Sequence, residues 1–256
     1  MGSLTETSQQ TINWSGYKWL TQERWGQIHL EKPNWWYDPT AIQINSKSEI
    51  VLKTHYNPKR FGDIISPIGV GLISCTEKFS YGVFSIEAKL PKGPRLWPAF
   101  WMYAWESWPP EIDILEAYSN GKSSYFNWNW EALFGKMWRV ETNIHLGEPP
   151  TNYSLGAKPG YLDLTSPTEK FNTYTLDWTP TYIKIYFNNK LIRHITDSKT
   201  LEQLEGKTMN VIINNGIQNS YSVNSSIDTT EFLVRNFRYT PLINQSYPTI
   251  KASLSN

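Results

Sequence analysis

The segment Glu111-Ile112-Asp113-Ile114-Leu115-Glu116 sets three carboxyl side chains among apolar residues. Side chains alternate faces along a strand, so Glu111 and Asp113 share one face. Glu116 stands at an odd offset and would point the other way on a regular strand. One β-bulge between Asp113 and Glu116 corrects the phase and brings all three acids to one side. The outer pair then lie about 13 Å apart at Cα, a gap that strand curvature and long side chains must close. Like charges on one face repel, so the grouping suits chemistry better than folding. Retaining glycoside hydrolysis needs two carboxyl groups about 5–5.5 Å apart, one ionised to attack and one protonated to donate. Carboxylate neighbours push up the pKa of the group that keeps its proton. The residues alone do not say which Glu attacks. A solvent-facing acidic edge strand is the alternative. Three acids at this spacing arise by chance about 0.2 times in such a chain, and about 0.01 times with apolar residues between them.

The elements that must hold this segment read as strands almost throughout. Ala41 to Ile44 and Ile50 to Lys53 are joined by a polar turn, and Phe79 to Leu90 and Phe171 to Trp178 alternate. Tyr182 to Phe187 and Leu191 to Ile195 flank Asn188-Asn189, a pair that tolerates the positive φ of a tight hairpin turn. Met209 to Asn214 and Glu231 to Tyr239 add two more. One helix is expected over Ser198 to Glu205, capped by Ser198 and ended by Gly206. This pattern predicts an all-β chain, two antiparallel sheets stacked as a sandwich. No repeat or composition shift divides it, so residues 1–256 are expected to form one domain with a core over about 14–240 and fraying at 1–10 and 244–256.

Composition excludes several classes. Lys+Arg number 24 and Asp+Glu 23, so the basic excess of a phosphate-tracking nucleic-acid binder is missing. No apolar run approaches the roughly 20 residues of a membrane helix. Cys75 is alone and cannot form an internal disulfide. Aromatic residues reach 15%, with 13 Trp, more than a core comfortably holds, so several are expected to line a surface groove. Trp97, Trp101, Trp105, Trp108, Trp128 and Trp130 gather around the acidic segment, and an indole face suits the C–H face of a sugar ring. Half of these are expected in the core; Trp97, Trp108 and Trp130 are the groove candidates, with Arg95, Arg139 and Asn214 as polar contacts. His29, His55 and His194 show no metal-ligand spacing, and no catalytic metal is expected.

Phe79-Ser80-Tyr81-Gly82-Val83-Phe84, then Leu96-Trp97-Pro98-Ala99-Phe100-Trp101-Met102, then the acidic segment together resemble glycoside hydrolase family 16 in its bulged E-x-D-x-x-E branch of laminarinases, agarases, carrageenases and porphyranases. The resemblance covers roughly residues 14–240. It implies a β-jelly roll with a long cleft across a concave sheet and endo-cleavage of a β-linked polysaccharide with retention. It assigns Glu111 as nucleophile, Glu116 as acid/base and Asp113 as the residue that orients Glu111. Thr142-Asn143-Ile144-His145-Leu146-Gly147 resembles the T-x-H-x-G segment of laminarinase-like members, which implies that His145 lies near the acid/base. Some members carry a structural calcium, which this sequence does not locate; no cofactor is otherwise required.

The resemblance breaks at Phe84-Ser85-Ile86-Glu87, where members commonly read F-E-x-R and use that Glu and Arg to bind sugar. Glu87 in place of a cation is expected to alter those contacts and disfavour a nearby sulfate. Glu116-Ala117-Tyr118 is similar to agarase-like members and Trp97-Pro98-Ala99-Phe100-Trp101 to β-glucanases. The expected substrate is a β-1,3- or mixed-linkage glucan, favoured by the near-zero net charge. A red-algal galactan is the rival substrate; a carbohydrate-binding jelly roll without catalysis and a transglycosylase are the rival functions. A polysaccharide is the expected partner of a monomer that is secreted, periplasmic or at the cell surface. Met1-Gly2-Ser3 reads as an appended leader in place of an export signal.

Overall fold

The computed structural model describes residues 10–28, 34–93, 95–106, 108–118, 141–147, 153–155, 158–159, 167–218 and 229–242. Its strands in chain order are β1 (Thr11–Trp14), β2 (Tyr17–Leu20), β3 (Trp35–Tyr37), β4 (Ile42–Ile44), β5 (Ile50–Phe61) and β6 (Ile64–Val70). Then come β7 (Leu72–Cys75), β8 (Gly82–Lys89), β9 (Leu96–Ala104), β10 (Glu111–Glu116), β11 (Glu141–Leu146) and β12 (Tyr153–Ser154). The last six are β13 (Lys158–Pro159), β14 (Asn172–Trp178), β15 (Ile183–Phe187), β16 (Lys190–Ile195), β17 (Met209–Ile217) and β18 (Thr230–Pro241). They form two sheets. One runs β1-β2-β7-β17-β9-β10-β11-β12, with β13 also on β11; the other runs β16-β15-β14-β8-β18-β5-β6-β3, with β4 on β5.

Alternation builds the core between them. Phe84, Ile86 and Ala88 of β8, Leu96, Phe100 and Met102 of β9, and Tyr174, Leu176 and Trp178 of β14 all belong to one buried cluster. Burying an aliphatic or aromatic side chain is worth about 1.5–3 kcal/mol, so this inward set is the main force holding the sheets face to face. The predicted hairpin closes with Asn188 at φ 47 and Asn189 at φ 64, the left-handed pair of a type I′ turn. Gly82 sits at φ 154, where a Cβ would collide with the Thr240 carbonyl, which accounts for glycine after Tyr81.

The helix is shorter than expected and differently capped. It spans α1 (Ser198–Glu202), and Asp197 rather than Ser198 caps it, accepting from the Thr200 N–H at 3.0 Å. A carboxylate one residue earlier reaches the free N–H groups of the first turn and also offsets the helix dipole. Gly206, at φ 67, closes the turns that follow.

Of the Trp residues, Trp14, Trp19, Trp35, Trp36 and Trp178 are buried, whereas Trp97, Trp101 and Trp105 are half-buried and Trp25 and Trp108 exposed. A surplus of indoles does stay outside the core.

Candidate active site

The register of β10 against β9 decides where its acids point. Glu111 pairs with Tyr103 and Asp113 with Trp101; the register then slips between Asp113 and Leu115, so that Glu116 pairs with Ala99. Paired residues share a face, and Tyr103, Trp101 and Ala99 are alternate positions of β9. All three carboxyls therefore project from the same side, as the bulge predicts. Ile112 pairs with Met102 and Leu115 with Phe100 on the core side, and Ile112, Ile114 and Leu115 are fully buried. Burying those aliphatic residues stabilises the bulge that turns Glu116 outward.

On the other flank, β11 places His145 opposite Glu111, Asn143 opposite Asp113 and Glu141 opposite Glu116. His145 Nε2 lies 3.5 Å from Glu111 Oε1 and 3.3 Å from Asp113 Oδ2. The imidazole thus stands against the first two acids, because the cross-strand register pairs it with Glu111, and it is near enough to Glu116 to lower its pKa. Asn143 Oδ1 accepts from the Ile144 N–H at 2.9 Å, and its Nδ2 lies 3.3 Å from His145 Nε2.

Indoles and a phenol complete the arrangement. Trp108 Nε1 donates to Glu111 Oε2 at 2.7 Å. Trp97 Nε1 and the Tyr118 hydroxyl both donate to Glu116 Oε1, each at 2.9 Å, and the two rings stack at 5.4 Å. Asn214, across from Ala99, takes the Trp101 N–H on Oδ1 at 2.8 Å, so it holds the Trp101 ring in place. Arg95 is exposed at φ 61, where β9 begins, and its carbonyl accepts from Gln218. It stands four residues, about 13 Å along the strand, from the partner of Glu116. Trp128, Trp130 and Arg139 lie outside the described residues.

Burial drives the electrostatics. Desolvation pushes Glu111 and Asp113 well above the ordinary carboxyl range, and neighbouring carboxylates add to it. Glu116 is also raised by burial, but the Tyr118 and Trp97 donors pull it back. Three acids crowded in low dielectric oppose one another's ionisation, so they titrate as a linked set.

Four residues of this face escape a local reading of the sequence. Asn143 and Glu141 stand two and four residues before His145, and the alternation of β11 was the signal that places them. Tyr118 follows Glu116 by two. Glu23 carries no local signal: it is fully buried, accepts from the Tyr103 hydroxyl at 3.2 Å, and its carboxyl is pushed up to about 8 by desolvation.

Ser85 and Glu87 are elsewhere. They alternate with the core residues Phe84, Ile86 and Ala88 of β8 in the second sheet, so they face the outer side of the molecule, away from the acids. Glu87 Oε2 accepts from Arg235 Nη2 at 2.8 Å and Nε at 2.9 Å, and Oε1 from Asn236. The expected effect of Glu87 on sugar contacts is overturned: its Arg235 partner explains the acid at this position.

Among calcium's needs are six to eight oxygen ligands. Glu111, Asp113 and His145 form the one cluster of three metal-capable side chains among the described residues, and its nitrogen and few oxygens do not fit calcium.

A sandwich of two large sheets with this order is the β-jelly roll. The laminarinase catalytic domain from Thermotoga maritima shares it with a TM-score of 0.64 at 18% identity, over 82% of this chain and 84% of that one. The sequence profile of glycosyl hydrolases family 16 matches residues 29–231, and the chain belongs to that family. Among its relatives, a β-1,3-glucan-binding protein of Penaeus monodon is 27% identical over 71% of this chain and 47% of its own length. A glucan endo-1,3-β-glucosidase of Cryptopygus antarcticus is 30% identical over 46% of this chain and 42% of its own. The chain thus spans less than half the length of these two relatives.

Proposed function

We propose that the protein is an endo-acting, retaining β-glycanase that hydrolyses internal bonds of a β-1,3- or mixed-linkage glucan. The observation that carries this reading is the slipped register of β10, which gathers Glu111, Asp113 and Glu116 on one indole-flanked face. In this mechanism Glu111, whose pKa burial and Asp113 raise in the free site, gives up its proton before it attacks the anomeric carbon, and Glu116 gives a proton to the departing glycosidic oxygen. Both donors to Glu116 act on Oε1, so Oε2 is the oxygen available to carry the proton. The covalent glycosyl-enzyme is then hydrolysed by a water that Glu116, now ionised, deprotonates. Asp113 and His145 hold the proton balance of Glu111. Trp97 and Trp108 each present a ring beside a reacting carboxyl and stack on sugar. A polymer too large to cross a membrane places the enzyme outside the cytoplasm, and it acts as a monomer with no required cofactor.

Reducing-end release from laminarin, mixed-linkage glucan, agar, porphyran and carrageenan tests the substrate, and activity confined to the galactans would overturn the glucan choice. Glu111→Gln removes the nucleophile with little change in volume; turnover should vanish while oligosaccharide affinity persists. Binding without turnover in the unaltered protein would instead favour the function named in the Penaeus monodon relative. Proton NMR of the first anomer released tests retention.

A further inference from the structure

The ligand-capable atoms of Glu111, Asp113 and His145 all lie within 4.8 Å of one another. His145 Nε2 is 3.5 Å from Glu111 Oε1 and 3.3 Å from Asp113 Oδ2. A tetrahedral ion with bonds of about 2.0–2.1 Å sets its ligand atoms about 3.4 Å apart. These edges already match that spacing.

The second observation is the state of the atoms themselves. Asp113 Oδ2 is buried without a hydrogen-bond partner, on a side chain that is 3% exposed, and it faces the imidazole. Trp108 engages Glu111 through Oε2, which leaves Oε1 directed at His145. The Asn143 carboxamide, held by its oxygen on the Ile144 N–H, lies 3.3 Å from His145 Nε2 and fixes that nitrogen beside the two acids. Three atoms able to ligate a cation stand together here. An unpaired buried carboxylate oxygen is costly, and a cation there would offset the cost.

We propose that Glu111, Asp113 and His145 form a reversible, inhibitory site for a zinc-class divalent cation. One nitrogen and two carboxylate oxygens suit zinc, with water completing the coordination; copper and nickel share the preference. Trp108 serves as the outer partner that holds Glu111 in the ligating rotamer. The bound ion would occupy the Glu111 lone pair that attacks sugar and would stand where the anomeric carbon must arrive. Metal binding stands by itself, whereas inhibition rests on the function proposed above.

Isothermal titration of zinc chloride into the intact protein, and into His145→Gln and Asp113→Asn, tests the site. The expected result is one zinc per chain, with affinity reduced about a hundredfold or more in either variant. Laminarin hydrolysis by the unaltered protein should fall as the site fills, with KM raised and kcat unchanged, and recover on adding EDTA. Calcium chloride should do neither. Absence of one-to-one binding, or an affinity in either variant equal to that of the unaltered protein, would overturn the site. Undiminished hydrolysis at saturating zinc would overturn its inhibitory role. Circular dichroism checks that each variant folds, and either one alone decides the question. If no polysaccharide is cleaved, the proposed function falls and calorimetry still judges the metal site.

Discussion

Glu23→Gln tests whether a buried proton belongs to the active-site face. Glu23 is fully buried, bonded to the Tyr103 hydroxyl, and Tyr103 stands directly across from Glu111. Its carboxyl rises from 4.5 to about 8, chiefly through desolvation. A raised folded pKa means that the native state holds the proton more tightly than the unfolded chain. The stabilisation is therefore complete below pH 4.5 and is lost as the pH climbs through 8. At about 1.36 kcal/mol per unit, the loss between pH 5 and pH 8 comes to about 3–4 kcal/mol. Gln keeps an acceptor for Tyr103 but cannot ionise. It leaves an amide group poorly paired, a pH-independent cost of about 1–3 kcal/mol. The diagnostic is thus the slope of the difference, whatever its sign at one pH. Urea unfolding of both proteins at pH 5, 6, 7 and 8 should show the variant gaining on the unaltered protein by that amount. Glu111, Asp113 and Glu116 titrate in both proteins and largely cancel in the comparison. Parallel stability curves would refute the argument, since they would mean that Glu23 is ionised in the fold or reached by water.

Trp97→Phe keeps the ring beside Tyr118 but deletes the N–H on Glu116, a charge-assisted bond worth about 1.5–3 kcal/mol. That donor favours the ionised acid, so its loss should move the alkaline limb of the kcat/KM profile upward; an unmoved limb would separate Trp97 from the acid/base. Asp38 is buried, which by itself would raise its pKa, but donors from Thr40, His55 and Asn57 bring it down to about 2. Its stabilisation is present above pH 3.8 and lost as the pH falls through 2, and Asp38→Ala should cost about 3–5 kcal/mol at pH 7, read by thermal unfolding. Glu87→Ala should leave kcat/KM on laminarin within twofold, because Glu87 faces the opposite side of the sandwich.

Much of this protein is legible in its sequence because the decisive signals are local. Strand alternation, the Asn188-Asn189 turn and the odd spacing of Glu116 each depend on residues within a few positions of one another. That odd spacing leaves a bulge as the economical way to gather the acids, and the bulge is there. What tertiary structure alone decided depends on which strands become neighbours. The register of β11 against β10 brought His145 to Glu111 and Asp113, and set Asn143 and Glu141 on the same face. The assignment of β8 to the second sheet took Ser85 and Glu87 away from the site. Glu23 comes to lie behind Tyr103, 80 residues distant in the chain, through packing that no periodicity encodes. Side-chain direction is set by the backbone a few bonds away; the company a side chain keeps, and with it the charge it can carry, is set by the fold.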